Sequence, residues 1–345
     1  MVIVKANAYG HGALQIAQLA QDNPHIDWLA TAGLDEALTL RHNGITKNIL
    51  VLSYAQEELL SEGIINNIDL VVYDISRLET LNRLAQQYNT RARIHIKVDT
   101  GLSRMGALPA AAEKIARYAQ SLPHIDLKGI FTHCANSEEN SPFSAQQIKI
   151  FSELLRTLKE SSINIPYQHW SCSAAISTTD TRTCTLARAG LSTYGLWPSA
   201  YTHACAQKIN PAIQLIPVLS WYTHPVQIKH IPPNSVVGYG CTYTVTRPTT
   251  IALLPVGYWE GYHRIFAHKA QVKIMSHYAP VIGRISMNIT IIDITDIPGV
   301  TLDTPVLLLG ETGECSAEKL AHHAGTISWE ILTNINPMIP RIVSP

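Results

Sequence analysis

The chain has 345 residues, enough for one barrel-sized domain and a second domain of ordinary size, so we expect two domains. Its 26 basic residues balance its 26 acidic residues, which leaves no net charge. A neutral chain of this kind does not favour nucleic acid, an anionic membrane or a polycationic protein as a partner. The expected substrate is therefore a small molecule.

The six cysteines stand singly, without the paired short spacing of a metal site or the density of a disulfide-rich secreted domain. They are expected to be reduced thiols, and no metal is expected. The first residues do not resemble a signal peptide, and no apolar run approaches the roughly 18 residues that cross a bilayer. The expected location is the cytoplasm.

The first part of the chain, residues 1–207, alternates short β-branched runs with segments of helical period, which is the pattern of βα units on a parallel sheet. The predicted strands cover residues 2–4, 28–32, 48–52, 70–73, 94–98, 129–132, 167–170 and 186–189. The predicted helices cover residues 14–21, 36–41, 78–88, 110–119 and 145–159. Eight such strands predict a TIM-like (β/α)₈ barrel.

The second part, residues 208–345, changes to period-two alternation punctuated by glycine and proline, as in residues 236–245 and 281–293. This pattern predicts a mostly β domain. One helix is expected over residues 317–324, and a second is expected to start near residue 327. The predicted fold class is α/β, a barrel followed by a C-terminal β domain.

Polar residues stand where several barrel strands are predicted to end, namely Lys5, Arg104, His133, Ser173 and Arg188. Active sites of barrel enzymes lie at this end of the strands, so these side chains are candidates for catalysis. A lysine there can form a Schiff base only if part of it is neutral, and burial or nearby cations can achieve this by lowering its pKa. From position alone, a solvated charge is the commoner role of such a lysine.

Six segments, in order along the chain, resemble segments of alanine racemases. They read Val4-Lys-Ala-Asn-Ala-Tyr-Gly-His-Gly12, His95-Ile-Lys-Val-Asp-Thr-Gly-Leu-Ser-Arg-Met-Gly106, Gly129-Ile-Phe-Thr-His133, Ala187-Arg-Ala-Gly190, Val237-Gly-Tyr-Gly240 and Gly283-Arg-Ile-Ser-Met287. The resemblance spans nearly the whole chain. It implies a pyridoxal 5′-phosphate enzyme that interconverts L- and D-alanine, with Lys5 forming the Schiff base to the cofactor.

Racemisation removes a proton from one face of a planar carbanion and returns it to the other face, so it suits two bases. The resemblance implies that Lys5 and Tyr239 are these bases and that they act on an external aldimine. Tyrosine has an ordinary pKa of about 10, so cations must lower it, and the cofactor-site residues His133 and Arg188 are the expected source. The family architecture implies a homodimer in which Tyr239 enters the partner's active site. Without the resemblance, Tyr239 between two glycines fits a hairpin turn.

The resemblance also assigns charged residues around the cofactor. Arg188 faces the pyridine nitrogen, and because a guanidinium can only donate, that nitrogen stays unprotonated, which favours reprotonation at Cα over transamination. The alternative for Arg188 is a salt bridge at the barrel rim. Arg104 and the main-chain amide of Met287 bind the substrate carboxylate. Lys97 matches a lysine that is carbamylated in many family members, and its alternative is a pair with a carboxylate such as Asp99 or a bound anion.

Hydroxyls and amides are expected to hold the cofactor phosphate. The resemblance implies Tyr9, Ser173 and the backbone amides around Gly190 and Leu191, which can surround a dianion without committing a full positive charge. His169 matches, more loosely, a residue beneath the cofactor ring.

Near the site, three segments depart from the family. The family sequences Gly-Tyr-Ala-Asp-Gly, Ser-Met-Asp and Tyr-Glu are replaced by Gly257-Tyr-Trp-Glu-Gly261, Ser286-Met-Asn288 and Trp329-Glu330. Trp329 replaces a tyrosine that donates to the phosphate, and an indole points its single N–H elsewhere. Asn288 removes a negative charge beside the substrate entrance, where Tyr258 is also expected, and Trp259 adds bulk there. Family members also carry roughly thirty residues before this lysine-bearing strand that have no counterpart here.

The leading prediction is an alanine racemase that supplies D-alanine for peptidoglycan. A racemase of broader specificity, acting for example on serine, is one alternative, and the bulk of Tyr258 and Trp259 favours a small substrate. Decarboxylases of basic amino acids share the barrel and the lysine, but their acidic and cysteine-bearing motifs are not found around Cys241 or Cys315. The departures keep open a third alternative, a catalytically impaired relative that binds pyridoxal phosphate.

Overall fold

A computed structural model describes residues 1–311 and 313–344 of the chain. It divides into two units, the first formed by Met1–Ala8 and Ala13–Leu215 and the second by Tyr9–Gly12 and Ile216–Pro345. The boundary predicted between residues 207 and 208 falls inside a helix, Ala200–Ile209, that belongs to the first unit.

The first unit is built on a ring of parallel strands. The strands are β1 (Val2–Ile3), β2 (Trp28–Gly33), β3 (Asn48–Tyr54), β4 (Leu70–Val72), β5 (Ala92–Lys97), β6 (Ile125–Phe131) and β7 (Tyr167–His169). They pair in the orders β1-β2-β3 and β4-β5-β6-β7. Asp69 joins these two sheets, because its N–H donates to Ile49 O and its carbonyl accepts from Val51 N, both at 2.9 Å.

The predicted eighth strand is reduced to a short bridging segment that closes the ring. Ala189 forms an isolated parallel bridge with Val2. The N–H of Arg188 donates to Ser171 O at 3.3 Å, just beyond β7, and Ile3 N donates to Ala189 O at 3.0 Å. Parallel segments therefore follow one another around a closed barrel, as predicted, although the eighth is too short to count as a regular strand.

Helices follow most strands of the first unit. They are α1 (Ala13–Asp22), α2 (Leu34–His42), α3 (Leu60–Ile65), α4 (Ile75–Gln87), α5 (Pro109–Ser121), α6 (Phe143–Glu160), α7 (Ser173–Thr178) and α8 (Ala200–Ile209). The longer ones were predicted because each buries a stripe of helical period, such as Leu78, Leu81 and Ala85 in α4. The helices α3, α7 and α8 were not predicted; α3 and α7 have only six residues each, which carry little periodic signal.

The second unit is mostly β, as predicted. Its strands are β8 (Trp221–Thr223), β9 (Gln227–Ile231), β10 (Thr249–Leu254), β11 (Gln271–Ile274), β12 (His277–Pro280), β13 (Thr290–Asp293) and β14 (Val306–Leu309). They form two antiparallel sheets, β13-β10-β9 and β12-β11-β14-β8. A small core of Val237, Val245, Ile251 and Ile282 packs within this unit. Two helices follow, α9 (Ala317–Ala324), with the predicted bounds, and α10 (Ser328–Thr333).

None of the helices within residues 1–311 and 313–344 combines the length and the apolar character that crossing a membrane requires. The six cysteines are free thiols. In the same described ranges, no group of three or more histidine, cysteine or acidic side chains could hold a metal ion.

Candidate active site

A strained left-handed turn follows Lys5 at the end of β1. Four consecutive residues, Ala6 to Tyr9, have φ of 52–53°. L-residues pay about 1–2 kcal/mol each for this conformation, so the turn must be held by its surroundings. The Glu36 carboxylate accepts a hydrogen bond from Ala6 N at 2.6 Å, and Asn7 Oδ1 accepts one from Ala13 N at 2.9 Å. These bonds fix the backbone from which the Lys5 side chain projects.

Lys5 and Lys97 lie in a cationic part of the barrel. Burial lowers the pKa of Lys5, the neighbouring Arg104 lowers it further, and Glu36 partly opposes the change. Burial, assisted by Arg104, Arg188 and Lys5, lowers the pKa of Lys97 to about 8. Both amines therefore reach the neutral, nucleophilic form more easily than a solvated lysine does.

Lys97 extends from the last residue of β5, and its Nζ donates to Leu52 O at 2.9 Å. It also lies 5.6 Å from the centre of the Phe131 ring. Asp99, the carboxylate considered as its partner, instead accepts from Gly101 N at 2.9 Å and Ser103 N at 3.1 Å. Among the described residues, Lys97 has no ion-pair partner, and its direct pairing with Asp99 is not observed.

Arg188 is buried at the barrel rim and makes several hydrogen bonds through its two terminal nitrogens. One terminal nitrogen donates to His169 Nδ1 at 2.8 Å and to His169 O at 2.9 Å, and the other donates to Thr132 O at 2.8 Å. Within the described part of the chain, the Nε–H of Arg188 has no hydrogen-bond partner, and Arg188 forms no salt bridge. The guanidinium is thus rigidly held with one donor left for a ligand.

A chain of buried hydrogen bonds continues behind Arg188. Because the guanidinium can only donate, His169 Nδ1 must accept, and the neutral ring then carries its proton on Nε2. His169 Nε2 lies 3.1 Å from His95 Nδ1, so it donates to it, and the proton of His95 sits on Nε2, 3.5 Å from Asp69 Oδ1. Burial lowers the pKa of both histidines, which keeps them neutral. The direction of the hydrogen bonds from Arg188 to His169 and from His169 to His95 is therefore determined.

His133 is not the cation that the sequence analysis expected it to be. Its Nδ1 lies 3.3 Å from a terminal nitrogen of Arg188. Burial and the nearby Arg188 lower its pKa to about 3, so the imidazole is neutral at physiological pH. The positive charge around the barrel mouth therefore comes from Arg188, Arg104 and the lysines, while His133 can only accept from Arg188 and donate through Nε2.

Arg104 lies on the exposed turn between β5 and α5, which is shaped by glycines. Gly106 has a φ of +146°, and a Cβ built on it would lie 2.7 Å from Asp99 N, so only glycine fits this close backbone approach. The Arg104 guanidinium donates to none of the described residues, yet it acts electrostatically on both Lys5 and Lys97. It is therefore placed to bind an anion that lies near these lysines.

Hydroxyl and amide groups gather around Ser173, the first residue of α7. The Ser173 Oγ accepts from Gly190 N at 2.8 Å and from Ser192 N at 3.4 Å, while the Leu191 side chain is buried beside them. The buried hydroxyls of Ser171 and Ser192 have no hydrogen-bond partner among the described residues. Unsatisfied buried hydroxyls of this kind are costly unless a ligand uses them.

In the second unit, Tyr239 stands on a short exposed turn, Tyr239–Cys241. Its side chain is 71% exposed. The turn is set by the flanking glycines, since Gly238 and Gly240 have φ of 72° and 74° and the Arg284 side chain packs against Gly240. A large aromatic side chain that stays this exposed is available to contact another molecule.

The predicted entrance residues Tyr258 and Asn288 and the predicted substrate contact Met287 lie on two touching segments of the second unit. Tyr258 N donates to Ser286 O at 3.2 Å, and Trp259 N donates to Met287 O at 2.9 Å. Asn288 Nδ2 donates to Glu260 Oε1 at 2.7 Å. The side chains of Tyr258, Trp259 and Met287 are 44%, 59% and 55% exposed, so this face carries an accessible aromatic and thioether surface.

Tyr9 and Trp329 also belong to the second unit. Tyr9 is buried, and its carbonyl lies 3.0 Å from His11 Nδ1. The next residue, Gly10, packs so tightly on the Leu332 carbonyl in α10 that a Cβ would lie 2.0 Å from its oxygen. Trp329 lies on the same helix and is partly exposed, with its carbonyl accepting from Thr333 Oγ1 at 2.8 Å.

Three residues of this architecture were not identified from the sequence: Glu36, Asp69 and His95. His95 could have been found, because period-two alternation along β5 places it on the same face as Lys97. Asp69 and Glu36 act through contacts with residues 26 and 30 positions away, and no local pattern reports such contacts.

The donor set fits the cofactor that the resemblance implies. Amides, Ser173 and the unsatisfied serine hydroxyls suit a phosphate, the remaining Nε–H of Arg188 suits an unprotonated ring nitrogen, and Lys5 is an amine of lowered pKa. Arg104 suits a carboxylate.

The chain is similar to known proteins over nearly its whole length. The family model described as "Alanine racemase, N-terminal domain" matches residues 1–198, and "Alanine racemase, C-terminal domain" matches residues 218–343. "Alanine racemase 2" of Caldanaerobacter subterraneus subsp. tengcongensis is 33% identical, over 99% of this chain and 87% of that protein.

Two solved structures are similar in both sequence and fold. Alanine racemase from Clostridium difficile 630 has a TM-score of 0.90 and 34% identity, with 97% of this chain and 86% of that chain covered. Alanine racemase from Bacillus anthracis with bound L-Ala-P has a TM-score of 0.85 and 30% identity, with 97% and 85% covered. The relatives named here are alanine racemases, so a racemase of broader specificity is not favoured. The chain belongs to the alanine racemase family of pyridoxal-phosphate-dependent isomerases.

Proposed function

We propose that this member of the alanine racemase family moves the α-proton of alanine between two bases, Lys5 and Tyr239, supplied by different subunits of a homodimer. The observation that carries the proposal is the lowered pKa of Lys5 beside Arg104, which combines an amine that can be neutral with a guanidinium that can hold the carboxylate of the amino acid. When bound, pyridoxal phosphate makes the α-proton acidic by accepting the electron pair that its removal leaves.

Different residues are proposed to bind the substrate carboxylate, the cofactor phosphate and the ring nitrogen. Arg104 holds the substrate carboxylate, and the main-chain amide of Met287 from the partner subunit adds a second contact. Ser173 and the amides of Gly190 and Leu191 hold the cofactor phosphate together with Tyr9. Arg188, which is held by His169 and Thr132, would donate its Nε–H to the ring nitrogen.

Limited delocalisation of charge into the ring suits a racemase. A guanidinium has no proton to transfer at physiological pH, so Arg188 stabilises the ring nitrogen only by a hydrogen bond. Lys5 or Tyr239 would then return the proton at Cα. His169 supports this role because its neutral ring accepts from Arg188 rather than competing with it.

The second base comes from the partner subunit. Tyr239 is 71% exposed and stands on a turn between two glycines of positive φ. A side chain this exposed is accessible to a neighbouring molecule. Tyr258, Asn288 and Trp329 are proposed to line the substrate entrance formed in the dimer.

We place the enzyme in the cytoplasm, where it supplies D-alanine for peptidoglycan. Lys97 is proposed to carry a carbamate, since a pKa of about 8 leaves part of the amine neutral and able to react with carbon dioxide near neutrality. The resulting anion would neutralise part of the local positive charge and hold Arg104.

Isotope exchange tests the two-base assignment. The purified protein is incubated with L-alanine in D₂O, while D-alanine formation and deuterium at Cα are followed. We expect Lys5→Ala to lose the visible absorbance of the bound cofactor, and Tyr239→Phe to retain that absorbance but lose turnover. Bound cofactor without exchange at Cα in the unmodified protein would refute the proposal, and normal racemisation by Tyr239→Phe would refute the role of Tyr239.

A further inference from the structure

Glu36 connects the turn after Lys5 to a different part of the barrel. It lies in the first turn of α2, where its Oε2 accepts from Ala32 N at 2.8 Å and from Gly33 N at 3.3 Å. A glutamate at this position commonly satisfies the free amides at a helix start. That role does not explain its second oxygen, which accepts from Ala6 N at 2.6 Å across 30 residues of sequence.

The turn beginning at Ala6 depends on such a connection. Two further hydrogen bonds of the turn are local, from Ala8 N to Val4 O and from Ala13 N to Asn7 Oδ1, both at 2.9 Å. The positive φ values from Ala6 onward make this backbone strained. Glu36 therefore ties the first strained residue to β2 and α2 through a bond to a charged acceptor, the strongest class of hydrogen bond available to an amide.

We propose that Glu36 is a positioning residue for Lys5: it holds the left-handed turn in place and so determines where the amine of Lys5 stands. The negative charge of the Glu36 carboxylate also raises the pKa of the Lys5 amine, and so opposes the lowering caused by burial and by Arg104. This inference rests on the proposed function of Lys5 as the cofactor lysine.

The first test measures how firmly the hydrogen bond to Glu36 holds the turn at Ala6. Hydrogen exchange of the peptide containing Ala6 is followed by mass spectrometry in the full-length protein, with and without pyridoxal phosphate. Glu36→Gln replaces one of the accepting oxygens by an amide that can only donate, so exchange at Ala6 should accelerate roughly tenfold. The matched control is Asp35→Asn, which removes the neighbouring exposed carboxylate from the same helix turn and should leave exchange at Ala6 unchanged.

The second test measures how the reactivity of the Lys5 amine depends on pH. Lys5 in cofactor-free, full-length protein is labelled with a limiting amount of acetic anhydride over a range of pH, and labelled Lys5 is quantified by mass spectrometry. Because only the neutral amine reacts, loss of the Glu36 charge should move the labelling profile to lower pH, whereas Asp35→Asn should move it much less. Turnover of Glu36→Gln should fall roughly tenfold with little change in KM, as expected when positioning rather than substrate binding is lost.

The proposal is overturned if Glu36→Gln matches Asp35→Asn both in exchange at Ala6 and in the labelling profile of Lys5. Neither measurement requires the protein to racemise alanine. If Lys5→Ala kept the bound-cofactor absorbance and the turnover, the proposed function would fail, while the Ala6 exchange result would still report whether Glu36 holds the turn.

Discussion

Adding one methyl group at Gly129 should break the buried chain of hydrogen bonds behind Arg188. Gly129 on β6 pairs with His95 on β5, and a Cβ built there would lie 2.2 Å from His95 Nδ1 and 2.4 Å from its Cε1. The imidazole cannot easily retreat, because it is fully buried and packs edge-on against Trp28 at 5.3 Å. Gly129→Ala must therefore push the ring away from His169.

The size of the effect follows from two costs. Overpacking a tight core costs about 1–3 kcal/mol. Separating His95 from His169 leaves a buried donor and acceptor unpaired, which costs a further amount of about 1–3 kcal/mol. The free energy of unfolding should therefore fall by about 2–6 kcal/mol, a large part of the roughly 5–15 kcal/mol typical of a folded protein.

Urea unfolding at 25 °C, followed by circular dichroism, measures this loss in Gly129→Ala. A double-mutant cycle with His95→Ala supplies the control, because the methyl group has no ring to displace in that background. We expect the two changes to be coupled by at least about 1 kcal/mol, with the second change costing less than it does alone. The predicted contact between residue 129 and the His95 ring would be refuted if Gly129→Ala and the unmodified protein had equal urea midpoints. Strictly additive effects of Gly129→Ala and His95→Ala on the free energy of unfolding would refute it as well.

Four further outcomes are expected. His133, with a pKa of about 3, should show no imidazole titration by NMR between roughly pH 5 and 8. Its pKa is higher in the unfolded chain, at about 6.5, so protonation favours unfolding. The free energy of unfolding should therefore fall as the pH drops below 6.5. In carbon dioxide-free buffer, which keeps the Lys97 amine free of the proposed carbamate, stability should rise with pH between about 8 and 10.5 as the cost of burying the charged amine is relieved, and urea unfolding of Lys97→Met should lack that rise. Ser173→Ala should weaken pyridoxal-phosphate binding roughly tenfold in an absorbance titration. Trp329→Tyr should tighten it in the same titration, since a phenol can donate where the indole points elsewhere.

Periodicity predicted most elements because the physical cause of each is local. The stripe of Leu78, Leu81 and Ala85 predicted α4, and the alternation in the second half predicted a mostly β domain. The eighth barrel strand was overestimated because a β-branched or apolar run reports burial rather than pairing. Residues 186–189 are held by only a few hydrogen bonds to β1 and the end of β7.

The site was predicted by a different route. The family motifs named Lys5, Arg104 and Arg188, and the barrel geometry explains why these strand-end residues lie in one cationic region. Their roles in the reaction stay predictions. The expectation that His133 carries positive charge was wrong, because burial beside Arg188 outweighs the ordinary basicity of imidazole.

The sequence by itself determined the family, the order of strands and helices, and the residue types available for chemistry, since these depend on local pattern and on recognisable motifs. Only the tertiary structure decided the protonation pattern of His169 and His95, the neutral state of His133 and the bond from Glu36 to Ala6. Each of these depends on burial or on a partner many residues away. Desolvation and hydrogen-bond direction are properties of neighbours in space, which a one-dimensional pattern does not contain.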